Sequence, residues 1–202
     1  MKQSQAHWES FFNKFYWVFL QGAPSKRRCL KIFRKLGLPK SAEIIEMGCG
    51  TGFFLRRLQK DNYYNLWGLD FSAQVLEPLS KTGIKAVCTD AKKSGFKNNY
   101  FDLVFSDGVL EHFQSPQPFL KEFARISKDY LVTIVPRPTW QNKIESWILR
   151  PPKEYHRSTK QWEELHRQLG FEGVKSLILG RNCLMIICRK KLPINLNEGF
   201  TN

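Results

Sequence analysis

The stretch Glu46-Met47-Gly48-Cys49-Gly50-Thr51-Gly52 constrains this chain most, because three alternating glycines follow the apolar pair Ile44-Ile45, which reads as a buried strand. Glycine has no Cβ, so the backbone can turn sharply out of a strand and bring a ligand against the main chain where the next helix begins. This is the layout of a nucleotide-type cofactor site. A dinucleotide loop reads G-x-G-x-x-G and a phosphate loop reads G-x-x-x-x-G-K-[ST], each directing amides or a lysine at phosphate. Here the spacing is E-x-G-x-G-x-G, with a carboxylate before the first glycine and no lysine inside. Such surroundings disfavour pyrophosphate and suit a cationic ligand, a sulfonium or an ammonium.

Apolar runs of strand character alternate with helical patterns, which implies crossover units and a mostly parallel sheet. The strands are predicted at Glu43–Met47, Tyr64–Leu69, Ile84–Cys88, Phe101–Ser106, Tyr130–Val135, Gly173–Leu179 and Leu184–Cys188. Helices are predicted at Thr51–Lys60, Ala73–Lys81, Pro116–Ser127 and Thr159–Leu169, the last between the N-capping Ser158-Thr159 and Gly170. Only Gly180-Arg181-Asn182 separates the final two strands, so they should form an antiparallel hairpin at the sheet edge. The expected fold class is α/β, a Rossmann-like, doubly wound, seven-stranded sheet.

At 202 residues, with 42% hydrophobic and 14% aromatic content, the chain should form a single domain, 1–202. Its expected parts are an N-terminal helical lid (1–40), a cofactor-binding core (41–135), a substrate-side insertion (136–157), a C-terminal helix and hairpin (158–191) and a loose tail (192–202). Trp8, Phe11, Phe12, Phe15 and Phe19 recur at helical spacing and read as core packing or a lid, with a membrane-surface helix as a third reading. The insertion carries Pro138, Pro151, Pro152, Trp140, Trp147 and Tyr155. No run approaches the roughly 18 apolar residues of a membrane span, and no signal-peptide pattern opens the chain. Five cysteines without a C-x-x-C pair suggest neither disulfide framework nor zinc knuckle, and place the protein in a reducing cytoplasm. The net charge of +14 suits nucleic acid, an anionic membrane surface, or solubility alone. Its densest run, Lys26 to Lys40, has Cys29, Ile32, Phe33 and Leu36 at helical spacing and reads as a solvated basic face over an apolar one.

In an open parallel sheet, ligands bind beyond the carboxyl ends of the strands, where strand order reverses. Four predicted strand ends carry an acid: Glu46, Asp70, Asp90 and Asp107, the last followed by Glu111 and His112. Asp70, about eighteen positions after Gly52, is placed to accept hydrogen bonds from ribose hydroxyls, or else to cap the next helix. Phe71 offers a flat wall for a purine or fills core. Asp90-Ala91 suits a purine amine or a simple turn. Glu46, at a buried strand end, needs a cationic or hydrogen-bonding partner.

With these motifs in order, the chain resembles the class I S-adenosylmethionine-dependent methyltransferases from about Glu43 to Lys190. The resemblance rests on Glu46 to Gly52, Asp70, Asp90 and the strand-four segment Phe101 to Phe113 with its Val109-Leu110-Glu111-His112. It implies that Glu46 with Gly48, Cys49, Gly50 and Gly52 holds the methionine portion of S-adenosylmethionine. Asp70 would hold the ribose, Phe71, Asp90 and Ala91 the adenine side, and Ser106 and Asp107 would complete the cofactor-binding set. The V-L-E-H segment also resembles small-molecule enzymes that include quinone-biosynthesis O-methyltransferases. Some of those bind a metal through a further glutamate at the position that is Gly108 here, so no metal is expected.

Methyl transfer gains mostly from alignment and exclusion of water. Glu111 and His112 are the candidate catalytic residues beside the transfer cavity, with His156 a second candidate base. His112 has a helix-start hydrogen-bonding role as its alternative, and His156 that of a surface histidine. His7 and His166 read as structural. The expected acceptor is a small molecule, amphipathic or acidic, with Arg137, Arg150 and Arg157 available to an acidic group. A second reading is methylation of RNA at ribose or ring nitrogen through the basic surface. Ser106-Asp107-Gly108-Val109 lacks the [D/N/S]-P-P-[Y/F/W] of exocyclic-amine methylation. A third is a cofactor-binding module without catalysis.

Overall fold

The structure, a computed structural model, describes residues 10, 24–139, 153–180 and 183–190. In chain order its elements are α1 (Pro24–Lys35), β1 (Ile44–Met47), α2 (Phe53–Lys60), β2 (Leu66–Asp70), α3 (Ala73–Ser80), β3 (Lys85–Cys88), β4 (Phe101–Asp107), a 3-10 turn (Leu110–His112), α4 (Gln117–Ile126), β5 (Ser127–Pro136), α5 (Thr159–Arg167), β6 (Gly173–Leu179) and β7 (Cys183–Arg189). The strands form a seven-stranded sheet in the order β3-β2-β1-β4-β5-β7-β6. β1 to β5 pair in parallel, whereas β7 runs antiparallel to both β5 and β6. Strand order reverses at β1, which pairs with β2 on one side and β4 on the other. The carboxyl ends of these three strands form the switch-point crevice.

Successive strand residues point to opposite faces of a sheet, and here the alternation sorts the core into two layers. Ile44 packs among Cys29, Phe33, Phe54, Leu58 and Leu79 of the α1–α3 layer, while Ile45 and Met47 pack with Phe119, Phe123 and Trp162 of α4 and α5. Leu103 and Phe105 of β4 belong to the first layer, as does Leu66 of β2, and Val104 belongs to the second. The same period of two places Glu46, Asp70 and Asp107 on the α1–α3 face of the sheet, all at its carboxyl end, and Ser106 on the other. Phe33 of α1 meets Phe105 of β4 with ring centroids 4.9 Å apart, tying the helix to the strand that carries Asp107.

The hairpin, the order of elements and the parallel core agree with the sequence expectation. Ser158 caps α5 in a reciprocal capping box with Gln161, and Ser72 caps α3 by accepting from the Val75 amide. Strand boundaries moved where pairing overrides composition. β5 extends to Ser127 and Pro136 because it is paired along its length with β4 and β7, while Tyr64, 66% exposed, falls outside β2. The aromatic residues Trp8, Phe11, Phe12, Phe15 and Phe19, His7, residues 140–152 with Trp140, Trp147 and Arg150, and the tail 192–202 lie outside the described residues. Among the described residues no helix is long and apolar enough to cross a membrane.

Candidate functional site

The loop from Gly48 to Gly52 is built from its own hydrogen bonds. The amides of Gly48 and Cys49 both donate to the Leu69 carbonyl, at 2.7 and 2.9 Å, and the Gly52 amide donates to the Cys49 carbonyl at 2.8 Å. The Gly50 amide donates to Asp70 Oδ2 at 3.0 Å, and Arg56 holds the Thr51 carbonyl from α2. These amides are therefore directed inward, unlike the outward-facing donors of a phosphate cradle. Gly48 has φ 73°, and a Cβ there would lie 2.5 Å from Val109 Cγ2. The glycine thus lets the loop after β1 close onto the loop after β4.

Three acids converge on this loop. Glu46 is buried, and its Oε2 has no hydrogen-bond partner among the described residues. Burial above all pushes its carboxyl well above the ordinary glutamate range; Asp107 and Asp70 push the same way, and Lys26 opposes them. Asp70 accepts from Gly50 and, through Oδ1, from the Ser72 amide at 3.1 Å. Burial raises its pKa and these amides counter it. A carboxylate offers about four acceptor positions, so two amides leave capacity for ribose hydroxyls. Asp107 pairs with Lys26, Nζ to Oδ2 3.0 Å.

Lys26 was not singled out by the sequence reading, which assigned it to a solvated face. In the structure its ammonium lies 5.3 and 5.4 Å from the ring centroids of Phe53 and Phe54, beside the acids. A signal was present: Lys26 stands one helical turn before Cys29 and Leu30, in register with the buried stripe. Arg34 also departs from a free solvated role, gripping Asp61 through two bonds of 2.7 and 2.9 Å.

Beyond β4, the 3-10 turn presents Glu111 and His112. Glu111 is buried with its Oε2 unpartnered among the described residues. Burial pushes its pKa well up, and Glu154 and Asp107 add to this. His112 Nδ1 lies 3.2 Å from the Lys153 carbonyl, which assigns its hydrogen to Nδ1 and makes Nε2 the basic nitrogen. That Nε2 lies 4.0 Å from Glu111 Oε1. The segment 153–157 is laid along the turn: the Tyr155 amide donates to the Glu111 carbonyl at 2.6 Å. His156 sits beside Glu154, at 4.0 Å.

The expectation that Arg157 serves an acidic acceptor is corrected. Its guanidinium donates to the carbonyls of Tyr155, Phe113 and Gln114 at 3.1, 3.0 and 2.6 Å and lies over the Trp162 ring, so it straps the 153–157 segment to the end of the turn. Phe71 stands beside Asp70 at 41% exposure. Asp90 is exposed at the end of β3, accepting from the Lys92 amide at 2.9 Å and pairing with the Lys92 ammonium at 3.2 Å, and Ala91 packs against the second core layer. His166, read as structural, is fully buried between Thr133 Oγ1 at 2.8 Å and the Trp162 carbonyl at 2.6 Å.

A family model described as a methyltransferase domain matches residues 45–130, the segment that carries the glycine loop and β4. An uncharacterized protein of Methanocaldococcus jannaschii is 27% identical over 150 residues, covering 70% of each chain. The human probable tRNA methyltransferase 9B is 30% identical over 86 residues, 41% of this chain and 18% of that protein. The 2-methyl-6-phytyl-1,4-hydroquinone methyltransferase of Synechocystis is 28% identical over 103 residues, 48% of this chain and 32% of that protein. The chain therefore spans less than a third of these two named relatives. Among solved structures, a putative methyltransferase in complex with the Haloferax volcanii Trm112 methyltransferase activator shares the fold, with TM-score 0.77 at 14% identity over 95% of this chain and 99% of that one. The residues present fit a purine-bearing sulfonium: Glu46 Oε2 is a buried carboxyl oxygen without a partner among the described residues, and the loop amides are turned away from any phosphate. The family match runs from β1 into β5, and with this donor set at the switch point that part of the chain is similar to the methyltransferase domains of class I S-adenosylmethionine-dependent enzymes.

Proposed function

We propose that the protein transfers a methyl group from S-adenosylmethionine to a small acceptor held over the loop after β4, with Glu111 and His112 facing it. The observation that carries this reading is the buried Glu111 carboxyl, its Oε2 without a hydrogen-bond partner among the described residues and its Oε1 4.0 Å from His112 Nε2. The cofactor supplies an electrophilic methyl and loses its positive charge as transfer proceeds. Glu46, the loop Gly48 to Gly52 with Cys49, Asp70, Phe71, Asp90, Ala91, Ser106 and Asp107 would hold it. Asp70 offers acceptor capacity for a ribose, and exposed Phe71 offers a face for the base.

Burial pushes Glu111 toward its neutral form, in which the carboxyl would donate as well as accept a hydrogen bond to the acceptor. His112 Nε2 would take the proton of a hydroxyl acceptor as the new bond forms. His156, beside Glu154, is the alternative base. The bound Arg157 and the acids near the turn shift the reading from an acidic acceptor toward a neutral or hydrogen-bond-donating one. The chain would act as a single domain, and five cysteines that form no disulfide suit a cytoplasmic setting.

A second reading, methylation of RNA, draws support from the exposed Arg27, Arg28, Lys31 and Lys35 along α1. A panel of small quinols, amines and carboxylates alongside transcribed tRNA, assayed with radiolabelled S-adenosylmethionine, separates the two. Labelling of a small acceptor that is reduced at least tenfold by His112→Ala or Glu111→Gln supports the first reading. Labelling of tRNA alone, falling steeply with salt, supports the second.

A further inference from the structure

Glu111 places a buried carboxyl just beyond the end of β4, with two further acids acting on it. A Cβ on Gly108 would lie 3.6 Å from its Oε1, the residue is 4% exposed, and Oε2 has no hydrogen-bond partner among the described residues. The segment 153–157 brings the second acid. The Lys153 carbonyl meets His112 Nδ1 at 3.2 Å and the Tyr155 amide donates to the Glu111 carbonyl at 2.6 Å, so Glu154, between them in sequence, is held against the turn with 16% of its side chain exposed. Among the described residues, the charges acting on the Glu111 carboxyl are those of Glu154 and Asp107. Arg157, on the same segment, is held by the carbonyls of Phe113 and Gln114.

Carboxyls gathered in a buried place call for a positive partner, and a buried oxygen without one is costly. An acidic acceptor would add to the repulsion. A hydroxyl would bond to one oxygen without offsetting the charge. A divalent metal ion would need a third ligand, and no group of three or more His, Cys, Asp or Glu among the described residues could hold one. An ammonium brings both the charge and two or three donors. We propose that Glu111 and Glu154 bind the nitrogen of a small aliphatic amine. Resting on the methyltransferase reading above, this makes the acceptor a primary or secondary amine and Glu154 a residue that selects it. The amine arrives as an ammonium and passes one proton to His112 Nε2, which frees the lone pair on nitrogen. That lone pair forms the N–C bond to the donor methyl as the S–C bond breaks and its electron pair stays on sulfur. The products are an N-methylammonium still matched to the two carboxyls, a neutral thioether, and a proton that His112 returns to water.

The test is calorimetric titration of the full chain, saturated with S-adenosylhomocysteine, against matched sets: phenethylamine, phenethyl alcohol and phenylacetate, then hexylamine, hexanol and hexanoate. In each set the amine should bind at least roughly tenfold more tightly than the alcohol or the acid, the size of effect expected from one charge-assisted hydrogen bond. Glu154→Gln should cut that preference at least roughly fivefold while leaving the affinity for S-adenosylhomocysteine within roughly threefold. Radiolabelled S-adenosylmethionine should place its methyl on the nitrogen of the amine. An alcohol or acid bound as tightly as its amine overturns the proposal without any variant, so poor folding of Glu154→Gln cannot shelter it. Binding of no amine in either set overturns it as well, and so does an unchanged preference in Glu154→Gln. Label entering an alcohol alone overturns the amine while leaving the methyltransferase reading in place. Failure of the unaltered chain to bind S-adenosylhomocysteine overturns that reading itself.

Discussion

Lys26 Nζ and Asp107 Oδ2 lie 3.0 Å apart, joining α1 to the end of β4 across the crevice in which the acids converge. Burial opposes the charge on Lys26, yet Asp107 and then Glu46 hold its pKa above the ordinary lysine value. A pair of this kind couples a helix to the catalytic end of the sheet. In a double-mutant cycle of Lys26→Met and Asp107→Asn, followed by urea unfolding, the two changes should be non-additive by about 1 kcal/mol. Additivity within about 0.3 kcal/mol would mean that the contact contributes nothing to stability.

Gly48 faces Val109 so closely that a methyl group cannot be added without movement. Gly48→Ala places a Cβ 2.5 Å from Val109 Cγ2 on a backbone with φ 73°. We expect a loss of about 1–3 kcal/mol in stability together with weaker cofactor binding. Adding Val109→Ala should restore part of the stability, since it removes the clash and leaves only the left-handed strain. Thermal unfolding of the single and double variants decides this; a Gly48→Ala protein as stable as the parent would contradict the close approach of the two loops.

His166 makes the fold sensitive to acid. Burial lowers its pKa from 6.5 to about 4, while the bond to the Trp162 carbonyl acts weakly the other way. The unfolded chain therefore binds a proton that the folded chain resists, and the contribution of His166 to stability is fully present above pH 6.5 and lost as pH falls toward 4. The size of the loss is about 3 kcal/mol. Urea midpoints measured from pH 7.5 to 4.5 should fall more steeply for the parent than for His166→Gln. Parallel slopes would show that His166 is not buried in its neutral form.

That acids stand at the carboxyl ends of the strands was legible in the sequence because strand periodicity and strand ends are local properties. Glu46 and Asp107 were expected only at strand ends; the structure places them on the same face of the sheet. The glycine spacing likewise excluded a phosphate cradle, and the inward-directed amides give the reason. What local pattern could not supply was tertiary pairing. Lys26 lies in a basic run whose other members are exposed, and only the packing of α1 against Phe54 and Phe105 turns it inward. Arg157 read as a free cation because the carbonyls it binds, at Phe113 and Gln114, are more than forty positions away. The insertion of β7 between β5 and β6 was equally invisible, since the hairpin alone does not say which strand meets β5.

The most direct measurement is a titration of S-adenosylmethionine followed in two buffers of different ionisation enthalpy. Burial keeps a proton on Glu46 above the ordinary glutamate range, and a bound cation stabilises its carboxylate and releases that proton. Affinity should therefore rise with pH until Glu46 is ionised in the free protein, by at most tenfold per pH unit. The expected result is binding with proton release in the parent, no release in Glu46→Gln, and a large loss of affinity in Asp70→Ala. Absence of binding, or binding unchanged by both substitutions, would contradict the assignment of the Glu46–Asp70 crevice to this cofactor.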